Sequence, residues 1–345
     1  MQQPLTSIKT PGYRRRRLAA AILARHATKP AVTNRSHPIK VVCISDTHNN
    51  QPDLPPGDIL VHAGDLTENG SFDEVQAGIT WLSSQPHPFK ILIAGNHDVL
   101  FDEAFLQKYP ERRYGKSKTK DDLDWGDVIY LQDSTITLDV PVQTSNPPSQ
   151  PQTRKITIHG SPWTPQYGIS AFQYPPSTGA SLWTSQLAHH PDYIDCTTPH
   201  PSPIPTPGET TTTTTTPTPQ PLTILITHGP PKLHLDRRAI HRAGCPYLLS
   251  EVARLRPRLH VFGHIHAAHG REDVVLDGVR QAHDDVQIGW GGWGCVAWMV
   301  VLVVWGWVKG VAWVGRGLRV TTFVNASVVG GRGNEVRNGA IVVEI

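Results

Sequence analysis

The stretch Phe89-Lys90-Ile91-Leu92-Ile93-Ala94-Gly95-Asn96-His97-Asp98 decides the fold. Its first six residues are nearly all apolar and do not alternate with polar ones, the pattern of a strand buried on both faces. The run stops at a glycine and passes into Asn, His and Asp, which have no packing purpose there. Four more apolar runs end the same way. Residues 39–45 lead into Asp46-Thr47-His48, and 59–63 into Gly64-Asp65. Residues 222–227 lead into His228-Gly229, and 259–262 into Gly263-His264-Ile265-His266. The runs 155–159, 320–325 and 340–345 read as further strands. Helical stretches lie between them. Ser71-x-x-Glu74 makes a capping box ahead of Val75, Ile79 and Leu82. Leu248, Leu249, Val252 and Leu255 repeat the helical spacing until Pro257 stops it. Strands alternating with helices predict a layered α/β domain.

In such sheets the loops at the carboxyl ends of the strands build the binding crevice. One edge therefore collects Asp46, His48, Asp65, Asn96, His228, His264 and His266. Imidazole with carboxylate suits Mn, Fe or Zn, and the lack of cysteine argues against a structural zinc site. Seven ligands are too many for one tetrahedral ion. They suit two ions about 3.5–4 Å apart that share a carboxylate, an arrangement used for phosphoester displacement. The spacings D-x-H and H-x-H send both side chains of a pair to one side of an extended segment.

Composition narrows the alternatives. The chain has 345 residues, 38% hydrophobic and 18% charged, enough for a sizeable core and unlike a coiled coil or an acidic disordered chain. Cys43, Cys196, Cys245 and Cys295 lie far apart with no C-x-x-C, which fits a reducing, cytoplasmic setting. Histidine is unusually abundant at 18 residues, so its positions matter. Nine positive charges precede the first acid, Asp46, and the remainder holds 23 basic against 29 acidic residues, a balance of −6. Basicity thus belongs to the N-terminal segment, and no duplex nucleic-acid partner is expected.

Asp46-x-His48, Gly64-Asp65, Gly95-Asn96-His97-Asp98, His228 and Gly263-His264-x-His266, in this order, resemble the calcineurin-like metallophosphoesterases. The resemblance covers about 39–274 and resumes over 319–345. Finer similarity is to the class III, cyclic-nucleotide-phosphodiesterase-like branch, the metallophosphoesterase-domain proteins. It shows in VHAGDLT, IAGNHD, HGSPWTP, ITHGPP, GCPYLL, RPRLHVFGHIH and FVNAS. The resemblance implies a four-layer sandwich, two mixed β-sheets flanked by helices. It implies one divalent transition-metal ion on Asp46, His48, Asp65 and His266, and a second on Asp65, Asn96, His228 and His264. His97 becomes the leaving-group acid, oriented by Asp98. Water bridging the two ions loses a proton near neutral pH and attacks phosphorus in line. His159 and Trp163 follow a strand and are candidate substrate contacts, with core packing as the alternative. Asp65 is followed by Leu-Thr-Glu-Asn-Gly rather than the V-D-R-G of the protein-phosphatase branch, which disfavours a Ser/Thr protein phosphatase. The expected function is dinuclear hydrolysis of a small phosphoester, a nucleotide among the candidates. The alternative is a membrane-tethered regulatory or binding protein with a slow site.

Three segments stand outside this pattern. Residues 1–38 read as a basic, disordered arm, with a minimal secretory h-region and an Arg-rich, acid-free mitochondrial presequence as alternative readings. Residues 197–221 hold eleven Thr and eight Pro and read as a disordered insertion. Residues 286–314 form an apolar insertion: 286–308 carry no charge, and six of ten tryptophans lie between Trp290 and Trp313. A single membrane span conflicts with the need for 320–325 to rejoin the sheet. An interfacial or re-entrant membrane segment, a helix packed on the domain, or a translated non-coding stretch all meet that constraint.

Overall fold

Continuous apolar runs need cover on both faces, and the molecule supplies it with two sheets packed face to face under helices. The computed structural model describes residues 12–26, 38–114, 117–142, 152–191, 221–308, 319–331 and 333–345. The main strands are β1 (Lys40–Ile44), β2 (Ile59–Ala63), β3 (Phe89–Ile93), β4 (Val128–Tyr130), β5 (Ser134–Pro141) and β6 (Thr153–Ser161). They continue with β7 (Ile224–Thr227), β8 (Leu259–Phe262), β9 (Gly270–Val275), β10 (Val320–Asn325) and β11 (Ile341–Glu344). The helices are α1 (Tyr13–His26), α2 (Phe72–Ser83), α3 (Glu103–Lys108), α4 (Gly179–Leu187), α5 (Pro246–Leu255), α6 (Gly278–Ile288) and α7 (Trp293–Val308).

The first sheet has the order β11-β1-β2-β3-β4 and the second β9-β10-β8-β7-β6-β5. β1 to β4 run parallel, with Ile44 opposite His62 and Ala63 opposite Ile93, so their carboxyl ends lie level. β6, β7, β8 and β10 are also parallel, while β11 and β5 pair antiparallel at the sheet edges. Both sheets are mixed. Val41, Cys43, Ile59, Val61, Ile91 and Ile93 face Ile156, Ile158, Ile224, Ile226, Leu259 and Val261 in the core between them. The opposite face of the first sheet, with Val42, Ile44, Leu60 and Leu92, is covered by Phe72, Val75, Ile79 and Leu82 of α2. The capping box of α2 is complete: the Glu74 amide donates to Ser71 Oγ at 3.4 Å, and the Ser71 amide donates to Glu74 Oε2 at 3.0 Å.

The chain divides into two compact units, Met1–Asn34 with Asp273–Thr321, and Arg35–Glu272 with Thr322–Ile345. Residues 273–321 thus group with the N-terminal segment and not with the sheet-bearing unit. Within the smaller unit, Tyr13–His26 is a helix where the sequence reading expects a disordered arm. Its Leu-Ala-Ala-Ala-Ile-Leu-Ala run favours helix, and it buries Ala19 among Val279, Ala282, Val286, Val296 and Met299 of α6 and α7. Residues 286–288 and 293–308 are thus helical, with a break at 289–292, and one face of α7 is packed. The other face exposes Trp298, Val301, Val304 and Trp305, each about half accessible. Among the described residues no helix is long and apolar enough to cross a membrane. Most of the Thr/Pro tract, and 309–314, lie outside the described residues.

Candidate metal centre

The carboxyl ends of β1, β2, β3, β7 and β8 converge across the two sheets. Asp46, His48 and His266 offer donor atoms within 4.8 Å of one another, and so do Asp65, His228 and His264. Asp65 Oδ2 lies 3.2 Å from His228 Nε2 and 3.8 Å from His48 Nε2, so one carboxylate reaches both groups. Asn96 Oδ1 accepts from or faces His228 Nε2 at 3.0 Å, and His266 Nε2 lies 3.2 Å from Asp46 Oδ1. All seven ligand positions read from the sequence are therefore brought together.

The backbone explains how. Asp46, His48, Asp65 and His264 have positive φ of 52°, 45°, 54° and 65°, a left-handed conformation uncommon outside glycine. Backbone bonds hold these turns: Asp46 N donates to Gly64 O at 2.9 Å and His48 N to Asp65 O at 3.2 Å. Two glycines let carboxylates approach the main chain. A Cβ on Gly95 would sit 2.2 Å from Asp65 Oδ1, and one on Gly263 would sit 2.0 Å from Asp46 Oδ2.

Burial alone would raise the Asp46 and Asp65 carboxyls. Hydrogen bonds and charge from His266 and His228 outweigh it and hold both below the ordinary carboxylate range. Burial pulls His228 down, yet the Asp65 charge and hydrogen bond lift it to about 9. His264 shows the converse: burial and the neighbouring His228 push it to about 3, despite both carboxylates. His48 Nε2, in a side chain only 1% exposed, faces this group without a hydrogen-bond partner. Two ionised carboxylates, an amide oxygen and buried imidazole nitrogens, one of them unpartnered, fit divalent transition-metal ions.

His97 borders the ligands, its ring edge-on to His48 at 4.7 Å between centroids. Its Nδ1 lies 2.6 Å from the Glu68 carbonyl oxygen and its amide donates to Asp65 Oδ1 at 2.8 Å. Burial opposes its charge, but Asp65 and the Glu68 carbonyl raise its pKa. The expected Asp98–His97 pairing is not what orients the imidazole. Asp98 is fully buried and accepts from the amides of Gly95, Leu66 and Thr67 at 2.8, 3.2 and 2.9 Å and from Thr67 Oγ1 at 2.7 Å. It ties the Asp65 loop to the Asn96 loop, and a backbone carbonyl does the orienting.

Neither His159 nor Trp163 lines the cleft over the ligands. His159 is buried on β6 against Thr135, His189 and His190. The Trp163 indole donates to Asp133 Oδ2 at 2.8 Å and its ring packs edge-on to Phe172, so it serves the core. Other residues of the centre carry no metal-ligand pattern in the sequence. Ser327 Oγ donates to Asp46 Oδ2 at 2.8 Å, and Glu68 Oε2 stands 3.1 Å from His48 Nδ1, off the hydrogen-bonding direction. A cleft of about 730 Å³ opens over the ligands, bordered by Tyr167, Arg238 and Arg337.

The family model for calcineurin-like phosphoesterases matches residues 39–268. The chain belongs to that family. It is 36% identical over 311 residues to a probable rhamnogalacturonate lyase C of Emericella nidulans, covering 89% of this chain and 24% of that protein. It is 34% identical over 255 residues to metallophosphoesterase domain-containing protein 1 of human and of mouse, covering 69% of this chain and 63% of each relative. The chain thus spans about a quarter of the first relative and somewhat under two thirds of the others. Family membership implies a hydrolase that acts on phosphoesters with divalent metal ions.

Proposed function

We propose that this chain is a dinuclear metallophosphoesterase that cleaves a small phosphoester, a nucleotide among the candidates, with two ions drawn from Mn, Fe or Zn. The observation that carries the reading is the position of Asp65, within ligand distance of both histidine groups. When bound, the ions supply a water nucleophile at neutral pH and neutralise charge on the phosphoryl oxygens. Asp46, His48 and His266 hold one ion; Asn96, His228 and His264 hold the other; Asp65 joins them. His97, anchored through Nδ1, presents Nε2 as the group that protonates the departing alkoxide. Asp98 is a positioning residue for the two loops. Arg238 and Arg337 at the cleft rim offer charge to the phosphate.

Cytoplasmic location, and interfacial membrane contact through 286–314, belong to the same proposal. The second rests on the exposed tryptophans of α7, and vesicle co-sedimentation tests it. The decisive experiment on function is metal analysis of the purified chain with turnover of bis(p-nitrophenyl) phosphate in Mn²⁺. About two ions per chain and chelator-sensitive turnover are expected. A stoichiometry near zero after reconstitution, or turnover indifferent to chelator, overturns the reading.

A further inference from the structure

The excess of histidine is only partly absorbed by the centre at the strand ends. A second group of imidazoles lies on β6 and just after α4, and it shares no residue with that centre. Thr135 on β5 is the direct cross-strand partner of His159 on β6. The Thr135 hydroxyl stands 2.9 Å from His159 Nδ1, 3.1 Å from His189 Nε2 and 3.3 Å from His190 Nε2. The three histidines offer ligand atoms that all lie within 4.8 Å of one another. In a tetrahedral shell with bonds of about 2.0–2.1 Å the nitrogens stand roughly 3.3 Å apart, so a small contraction closes the set.

We propose that His159, His189 and His190, with the Thr135 hydroxyl beside them, form a separate binding site for one borderline divalent ion of the Zn²⁺ class. Three properties support it. The first is placement. His159 is fully buried and His190 is 5% exposed, while His189 faces solvent and leaves an entry path. The second is support of the turn that carries His189 and His190: Arg254 on α5 donates to the Leu187 and His190 carbonyls at 2.9 and 3.1 Å. The third is chemistry. The three rings converge on the Thr135 hydroxyl, which stands within hydrogen-bond distance of a nitrogen of each. A donor set of imidazole and hydroxyl, without carboxylate or thiolate, selects Zn²⁺, Ni²⁺ or Cu²⁺ over Mg²⁺ and Ca²⁺. An ion there would clamp the turn after α4 onto the β5–β6 edge of the second sheet.

The test uses the tag-free full chain loaded with Zn²⁺ and a His189→Ala variant, chosen because that side chain is exposed. The wild type should hold one more equivalent of Zn²⁺ than H189A. It should also lose several degrees of Tm on stripping that H189A does not lose. Turnover in Mn²⁺ should be equal in both proteins, which separates this site from the one at the strand ends. Anomalous scattering from a zinc-soaked wild-type crystal should show a peak between His159, His189 and His190. Equal zinc content in the two proteins, or a crystal with no peak among the three rings, overturns the site.

Discussion

His228 and His159 are both fully buried imidazoles in one unit, yet their protonation differs in direction. His228 faces Asp65 at 3.2 Å and is lifted to about 9. His159 faces a hydroxyl and two other imidazoles and is driven to about 3. Burial opposes the charged form in both, so the neighbour decides, not the depth. The same contrast recurs away from either cluster. His260 lies between Phe262 and Phe323 with its Nε2 2.9 Å from Thr227 Oγ1, and burial pushes it to about 3. A carboxylate-rich group attracts a cation by charge, whereas an imidazole-only group offers lone pairs. Their metal preferences should differ accordingly.

Removing the carboxylate that both ligand groups share is the strongest way to break this contrast. Asp65→Ala should lower kcat/KM by more than about 100-fold, beyond the usual effect of outer-shell changes, and sharply reduce bound metal. Full activity or full metal content in that variant would show that Asp65 is not the shared ligand. His97→Ala should retain metal while kcat falls by roughly 10²–10⁴. That loss should shrink for p-nitrophenyl esters, whose leaving group needs little protonation. Equal losses for alkyl and p-nitrophenyl esters would make His97 a binding residue.

Asp98→Ala leaves four donors without their acceptor and should cost about 3 kcal/mol in urea unfolding. Its leaving-group dependence should stay that of the wild type. If it instead copies His97→Ala, the carboxylate acts through the imidazole after all. The smallest effect concerns His260 and acid. The unfolded ring takes a proton near 6.5 and the folded one only near 3. Between those values the unfolded state binds more protons, so stability falls as pH drops below about 6.5. The single-site loss is about 2 kcal/mol at pH 5. His260→Gln should flatten the difference between pH 7 and pH 5 by that amount. An unchanged difference would mean that His260 titrates normally.

The strands that carry ligands were readable because each is a continuous apolar run stopped by glycine or a polar residue. β5 was not: it is an edge strand, Ser-Thr-Ile-Thr-Leu-Asp-Val-Pro, with exposed positions alternating along it. The seven ligands announce themselves because each closes or follows a strand. The role of Asp98 does not, since its donors on Leu66 and Thr67 lie about thirty residues away and only the folded loops bring them near. Glu68, Ser327, Tyr167, Arg238 and Arg337 carry no metal-ligand pattern to mark them, although Ser327 closes the FVNAS stretch just past β10. His189 and His190 follow a helix, and nothing in sequence points to Thr135 or His159 as neighbours. In the N-terminal segment four arginines dominate the reading, while the alanine-rich run behind them decides the helix.

Four residues at the strand ends sit in left-handed turns, a conformation that costs on the order of 1–3 kcal/mol each. Sheet hydrogen bonds and the inter-sheet core set those turns when the chain folds, so an arriving ion does not have to shape its own cradle. Exchange of one ion for another is then a local event that leaves the surrounding layers intact. The occupant of such a cradle would follow the supply of competing cations, so one polypeptide could work with whichever of several metals reaches it.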